Sequence, residues 1–451
     1  MTKMISFFLL PLYTSYLTPD DYGMYDLGLT YVMFFCSVCY LDIWSGIMRF
    51  MYDFNGEDRK KPISCGIVIF LCSTVIYTIT LSFVFPWLHV QYPGLLMLYG
   101  ALMNSQTLAG YIARGYGKTV IYTVSGIVSS LVTTLLNILL LVHFHMDYSA
   151  LIISSCIGFL VNILMLVLGI RVPGVFSLRH FNKIIFKDML IFSLPLCLNS
   201  VAYWFLTSYN RVVIMDRMGP AVNGYYAVAG RFGSMIALFT TGFTMAWQEL
   251  SYSKTAHSKD LGQFYTNAIN TYIKFMGSGL IILIPAVSII YPLLVNDSFD
   301  TGKTLVPLYL LGTILSTISV FVGNAFTAIK KNNYLFWTMV IGGACNVVSI
   351  HLLVEPVGIQ ASNLALIIGF TGLILSQVIL FNKYMRVRID MKSVSILLVS
   401  FCVVSLVYFK CNIWMNILAV LGACLVALYL FKDLIHQIIA SVKNKTKNDE
   451  V

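Results

Sequence analysis

Apolar runs of about twenty residues follow one another along almost the whole chain, and they leave few folds open. A helix needs roughly 20 apolar residues to cross the hydrocarbon core of a bilayer. The 451 residues are 58% hydrophobic and only 11% charged, where a soluble domain carries about a quarter charged residues. The mean hydropathy is +0.83. Barrel strands alternate over about ten residues, and these runs do not alternate. The sequence therefore predicts an all-α polytopic membrane protein.

Fourteen candidate spans are read at 4–17, 24–48, 62–88, 93–112, 119–142, 148–170, 189–209, 222–246, 268–294, 305–329, 334–354, 357–381, 393–409 and 412–431. The loops between them are too short to fold as soluble domains. Lys and Arg set the orientation. Alternate loops, starting with the N-terminus, hold 23 of the 29 basic residues, and the opposite loops hold Arg211, Arg217, Lys303 and Lys410. Arg231 and Lys274 lie inside spans. This bias places both termini in the cytoplasm and fits an even helix count. The net charge of +10 is thus a topology signal suited to an anionic leaflet, and gives no support to nucleic-acid binding.

A repeat is visible. Pro19–Tyr25 reads PDDYGMY and Pro220–Tyr226 reads PAVNGYY, both P-x-x-x-G-x-Y. Each enters an inward-running span, the second six spans after the first. The expected organisation is two parallel-related six-helix bundles, 1–170 and 171–388, two additional helices over 389–432, and a basic cytoplasmic tail over 433–451. Parallel repeats of this kind recur in transporters. The stretch before Pro19 is short by comparison with that before Pro220. It predicts either an unusually short first span or a start upstream of Met1.

Charges at membrane depth are expensive and face cavities or partners. Arg231 lies about 13 Å into its helix by helical rise. Its face, Gly224, Ala227, Ser234, Leu238 and Thr241, is mostly small or polar, so the arginine points into the protein. Two readings stand for it: a cation awaiting an anionic substrate group, or a partner of a carboxylate on a neighbouring helix. Asp42, Ser45 and Arg49 share one face near the inner end of the second span, as a substrate contact or as a local anchor. Asp26 favours a helix N-terminus. Lys274 either snorkels or enters a cavity. Arg211 ends the seventh span on the outer side, and Glu249 closes the eighth at the interface. Asp26, Asp42 and Glu249 are the carboxylates suited to ion coupling. Asn137, Asn162, Asn199, Asn324, Asn346 and Asn363 are expected to join helices by hydrogen bonds.

Motifs for catalysis are missing from the sequence. It has no phosphate loop, and its histidines lack metal spacing. The ten cysteines are scattered among apolar residues and read as small hydrophobes, so neither metal nor cofactor is expected.

LPLYTSYLTPDDYGMYDL, from Leu10 to Leu27, resembles the N-terminal signature of bacterial polysaccharide flippases. So does WSGIMRFMYDF, which contains Arg49. YNRVVIMDRMGPAVNGYYAVAGRFGSMIALFTTGFTMAWQE is similar to the family's segment across the seventh and eighth helices. The family belongs to the multidrug/oligosaccharidyl-lipid/polysaccharide exporter superfamily. The resemblance implies a flippase in the bacterial cytoplasmic membrane. Its cargo would be undecaprenyl-diphosphate-linked oligosaccharide for O-antigen, capsule or exopolysaccharide, moved by alternating access around a basic cavity. It also implies work beside a polysaccharide polymerase and a chain-length regulator. Arg231, Arg49, Lys274 and Arg211 are the candidate substrate contacts. The alternatives are a drug exporter of the same superfamily, which would place acidic residues in the cavity, and a polysaccharide polymerase, which would need a large outer loop.

Overall fold

A backbone crossing hydrocarbon must satisfy its own N–H and C=O groups, and a helix does so within one segment. The computed structural model describes residues 7–432 apart from 89, 173, 176, 258–260 and 330, without the side chains of several residues between 237 and 257 or of residue 332. Among these residues the regular structure is helical throughout. The long helices of the first part are α1 (Leu10–Tyr16), α2 (Pro19–Cys39), α3 (Ile43–Met51), α4 (Lys60–Trp87), α5 (Pro93–Gly115), α6 (Thr119–Ile138), α7 (Ser149–Ile170), α8 (Lys183–Thr207) and α9 (Tyr209–Met218). They are followed by α10 (Pro220–His257), α11 (Leu261–Leu294), α12 (Val306–Ala328), α13 (Asn332–Val357), α14 (Gln360–Phe381), α15 (Met391–Lys410) and α16 (Ile413–Leu430). Among the described residues ten helices are long and apolar enough to cross a membrane, and the bent pair α2–α3 makes eleven. With α1, α5 and α10 they occupy the fourteen positions read from the sequence. The chain is a multi-pass membrane protein.

The second span is broken, where the sequence predicted one continuous helix. Leu41 and Asp42 both adopt left-handed φ, 54° and 51°, and α2 and α3 diverge by 47°. Neither residue is glycine, so the surrounding packing must hold the bend against its local cost. Asp42 consequently stands outside the helix as the residue preceding α3.

Two compact units emerge. One comprises Met1–Val228 with Ile350–Ser362, the other Ala229–Ser349 with Asn363–Val451. The start of the second repeat thus lies in the first unit, and a reciprocal contact explains why. A Cβ built on Gly224 would stand 2.1 Å from the Pro19 carbonyl oxygen, and one on Gly23 would stand 1.9 Å from that of Pro220. Asn223 Nδ2 also donates to the Gly23 carbonyl at 2.8 Å. The two copies of P-x-x-x-G-x-Y pack on each other, each glycine admitting the other copy's proline backbone. Thr18 starts α2 with a full capping box through Asp21. Elsewhere in this unit Asn137 donates to the Tyr13 hydroxyl at 2.9 Å and Asn162 reaches Ser125 at 3.4 Å. Both join helices, as the sequence predicted.

In the second unit α11 is the hub and packs against α12, α15 and α16. A stack of rings lies within it. Tyr272 and Phe321 are 4.1 Å apart at 8°, and Trp247 lies 4.3 Å beyond Phe321. Asn363 Nδ2 donates to the Leu305 carbonyl at 3.1 Å. On α16, Leu418, Leu421, Leu425 and Leu428 are exposed, a face suited to lipid.

Candidate functional site

Within the first unit the chemistry gathers at the end poor in Lys and Arg. Asp26 lies two turns into α2, and Arg211 lies near the start of α9. The Arg211 Nε–Asp26 Oδ2 distance is 2.7 Å, with the side chains only 16% and 21% exposed. Arg211 also donates to the Thr207 carbonyl at 3.2 Å. Its guanidinium lies 5.4 Å from the Tyr226 ring centre, within reach of a cation–π attraction. Asp26 is therefore more than a helix-start carboxylate: it is the counter-ion of a cation 185 positions away.

Arg49 lies on α3, beyond the break in the second span. It pairs with Asp53 at 2.6 Å, both half exposed. Asp42 accepts from Ser45 Oγ at 3.0 Å. Asp42 and Ser45 thus come together, while Arg49 takes the next carboxylate along the chain.

Arg231 is half-buried on α10 in the second unit. The described residues of its predicted face, Gly224, Ala227 and Ser234, are buried or half-buried. Ser234 Oγ donates to the Arg231 carbonyl at 2.6 Å, and Gly233 sits against Tyr309 and Thr313. The Glu249 side chain lies outside the described residues.

Lys274 has a carboxylate partner: its Nζ lies 3.1 Å from Asp390 Oδ2. Asn270, one turn earlier, donates to the Arg388 carbonyl and accepts from the Asp390 N–H. Thr266, another turn back, accepts from the Arg388 N–H. One face of α11 thereby clamps the lead-in to α15. Hydrogen bonds from Ser393, then the Lys274 contact, pull the Asp390 carboxyl down to about 2. An unfolded aspartate titrates near ~3.9. The contribution is therefore complete above about pH 4 and lost as pH falls through about 2. Acidifying from about pH 4.5 to 2 should lower the melting temperature of the wild type more than that of Asp390→Asn. Thermal denaturation in detergent at the two pH values reads the difference.

A cavity of about 450 Å³ opens at the same end of the first unit as the Asp26–Arg211 pair. Leu27, Gly28, Val212 and Val213 supply its apolar lining, and Tyr31, Tyr148, Tyr209 and His351 its rings. Trp87 lines it as well and is 85% exposed. The Tyr209 hydroxyl and His351 Nε2 share a hydrogen bond of 3.0 Å, and the Tyr148 hydroxyl donates to Gln91 Oε1 at 3.1 Å. At the margin Arg217 lies between Asp216, at 3.5 Å, and Glu355, at 3.4 Å. The sequence reading did not assemble this cavity, because the lining comes from α2, the end of α4 and the loop after it, the residue before α7, α9 and α13, and no local pattern links them.

Comparison with known proteins decides the family. The model of the polysaccharide biosynthesis protein family matches residues 1–247, more than half of the chain. The chain belongs to the polysaccharide biosynthesis protein family. No curated protein matches it significantly. Among solved structures, this family member is similar to "Lipid II flippase MurJ, inward closed conformation". That match has 18% identity and a TM-score of 0.71, covering 96% of this chain and 98% of the other. It is also similar to an inward-facing multidrug resistance transporter, a MATE family member of the MOP superfamily. Here identity is 16% and the TM-score 0.67, covering 88% and 95%. At these identities the likeness shows the fold. The family supplies a polysaccharide-biosynthesis context for a chain whose basic candidates are differently placed. Arg211 is held by Asp26 on α2, Lys274 by Asp390 just before α15, and Arg49 by Asp53 four residues on, while Arg231 is half-buried on α10.

Proposed function

We propose that this polysaccharide biosynthesis protein is a flippase. Its cargo on this reading is an undecaprenyl-diphosphate-linked oligosaccharide, carried across the bacterial cytoplasmic membrane for O-antigen, capsule or exopolysaccharide assembly. Both termini lie in the cytoplasm. The observation that carries the reading is Arg231, an arginine half-buried on the long helix α10 of a family member. Moving a diphosphate through hydrocarbon is prohibitively costly without counter-charge. A fixed guanidinium lowers that cost with charge-assisted hydrogen bonds, while the polyprenyl tail stays in lipid. Arg49, exposed where the cytoplasm is expected, is placed to meet the headgroup first. Arg211 and Lys274 already have carboxylate partners, so they would meet the cargo only by exchanging them. Asp26 is the carboxylate best placed to register such an exchange. A polymerase and a chain-length regulator are the partners that would use the product.

Complementation tests the proposal. The chain is expressed in a bacterium lacking its own flippase for a matching glycan, and surface polymer is scored with membrane levels checked. Wild type should restore polymer. Arg231→Ala should lose at least roughly tenfold of it, the effect of removing one charge-assisted contact of about 1.5 kcal/mol or more. Arg231→Lys should recover part, since it keeps the charge and loses the planar fork. Equal export by wild type and Arg231→Ala would remove this residue from the transport path.

A further inference from the structure

We infer that the cavity beside α2 and α9 is a saccharide-binding site, separate from the cations proposed to meet the diphosphate. The inference rests on the transport reading above and adds a contact for the glycan on the releasing side.

Its chemistry selects among ligand classes. The volume of about 450 Å³ falls within the roughly 300–1,000 Å³ of small-molecule sites. The charged lining residues are Asp216 and Arg217, opposite in sign, and the guanidinium is shared between Asp216 and Glu355. Two carboxylates around one cation make a poor site for a phosphate. An acyl chain would bury the Tyr148–Gln91 and Tyr209–His351 pairs away from water for no return in hydrogen bonds. An uncharged polyhydroxylated ring suits both features. Its flat C–H faces lie against aromatic rings, and its hydroxyls exchange hydrogen bonds with neutral side chains. The two polar pairs keep unused capacity after bonding to each other. The Gln91 amide has two N–H donors, each tyrosine oxygen has lone pairs, and the second imidazole nitrogen of His351 is unspent.

Position agrees with chemistry. The cavity lies at the end of the unit where the Lys- and Arg-poor loops converge, which the charge bias of the sequence places outside the cytoplasm. Trp87 presents most of its ring to the surroundings at the cavity. A tryptophan there also suits a membrane interface, and the experiment separates that role from sugar stacking.

The test uses the full chain in lipid nanodiscs. The probes are lipid-free, uncharged oligosaccharides of hexose and N-acetylhexosamine units, followed by saturation-transfer NMR with empty nanodiscs as control. Wild type should bind at least one probe saturably. Trp87→Ala, a change at an exposed side chain, should weaken that binding about tenfold, the scale of one aromatic contact. Trp87→Phe should restore most of it, and Tyr209→Phe should weaken it while leaving the fold intact. Inorganic diphosphate should not compete. The inference is overturned if no probe binds. It is equally overturned if binding is the same in Trp87→Ala and Tyr209→Phe as in wild type, or if Trp87→Ala changes only the melting temperature, as a membrane anchor would. A parallel flipping assay keeps the two readings apart. Wild type that flips lipid-linked glycan but binds no free sugar ends the cavity proposal alone. Trp87-dependent sugar binding without flipping ends the transport reading alone.

Discussion

Replacing Gly224 with alanine should lower the melting temperature of the purified protein and sharply reduce polymer export. The added Cβ would sit 2.1 Å from the Pro19 carbonyl oxygen, and its counterpart at Gly23 1.9 Å from that of Pro220. Both obstacles are backbone, so no side chain can swing aside. Overpacking typically costs 1–3 kcal/mol, and backbone against backbone belongs near the top, at about 3 kcal/mol. An equilibrium biased by that much moves on the order of a hundredfold. Because each glycine admits the other repeat's proline, the double variant should cost less than the two singles together. Once the helix starts have parted for one methyl, the second meets less resistance. Thermal denaturation in detergent and export in the complemented strain read the effect. Gly224→Ala with wild-type stability and export would contradict the reciprocal contact.

Arg211→Ala should be the second most damaging change. It leaves the Asp26 carboxylate, only 21% exposed, without its guanidinium. Breaking a buried pair costs about 3–5 kcal/mol. Partial access to water brings the expected loss here to about 2 to 3 kcal/mol. Asp26→Ala should cost a similar amount by stranding the arginine. The double variant Asp26→Ala with Arg211→Ala should recover part of the loss, because no uncompensated charge remains. A double-mutant cycle on melting temperature measures the coupling. Additive losses would mean that the two residues act independently.

Much of the fold was legible because hydrocarbon leaves so little choice. Apolar runs of the right length gave the helices and their order, including α5 despite its polar Asn104-Ser105-Gln106-Thr107 stretch. The repeat could be read from Pro19, Gly23 and Tyr25 against Pro220, Gly224 and Tyr226. Its physical meaning could not, because the spacing gives no sign that the copies touch. The break at Leu41–Asp42 escaped because neither residue is a glycine or proline, and the strain is imposed by packing. The pairs Arg211–Asp26 and Lys274–Asp390 escaped for a related reason. Each joins residues more than a hundred positions apart, and a cation in a span says only that some partner or cavity exists. Arg231 was read from a local pattern instead: the small residues on its own helix face predicted an inward-pointing side chain, and Arg231 and Ser234 are half-buried there.

Reconstituted flipping tests the central claim most directly. Purified protein is placed in vesicles carrying an undecaprenyl-diphosphate-linked oligosaccharide in both leaflets, and a membrane-impermeant glycan oxidant is added outside. Protein-free vesicles protect the inner-leaflet pool. With the wild-type protein that protected pool should disappear, and with Arg231→Ala it should persist. A pool as well protected with the wild-type protein as without it would contradict the account.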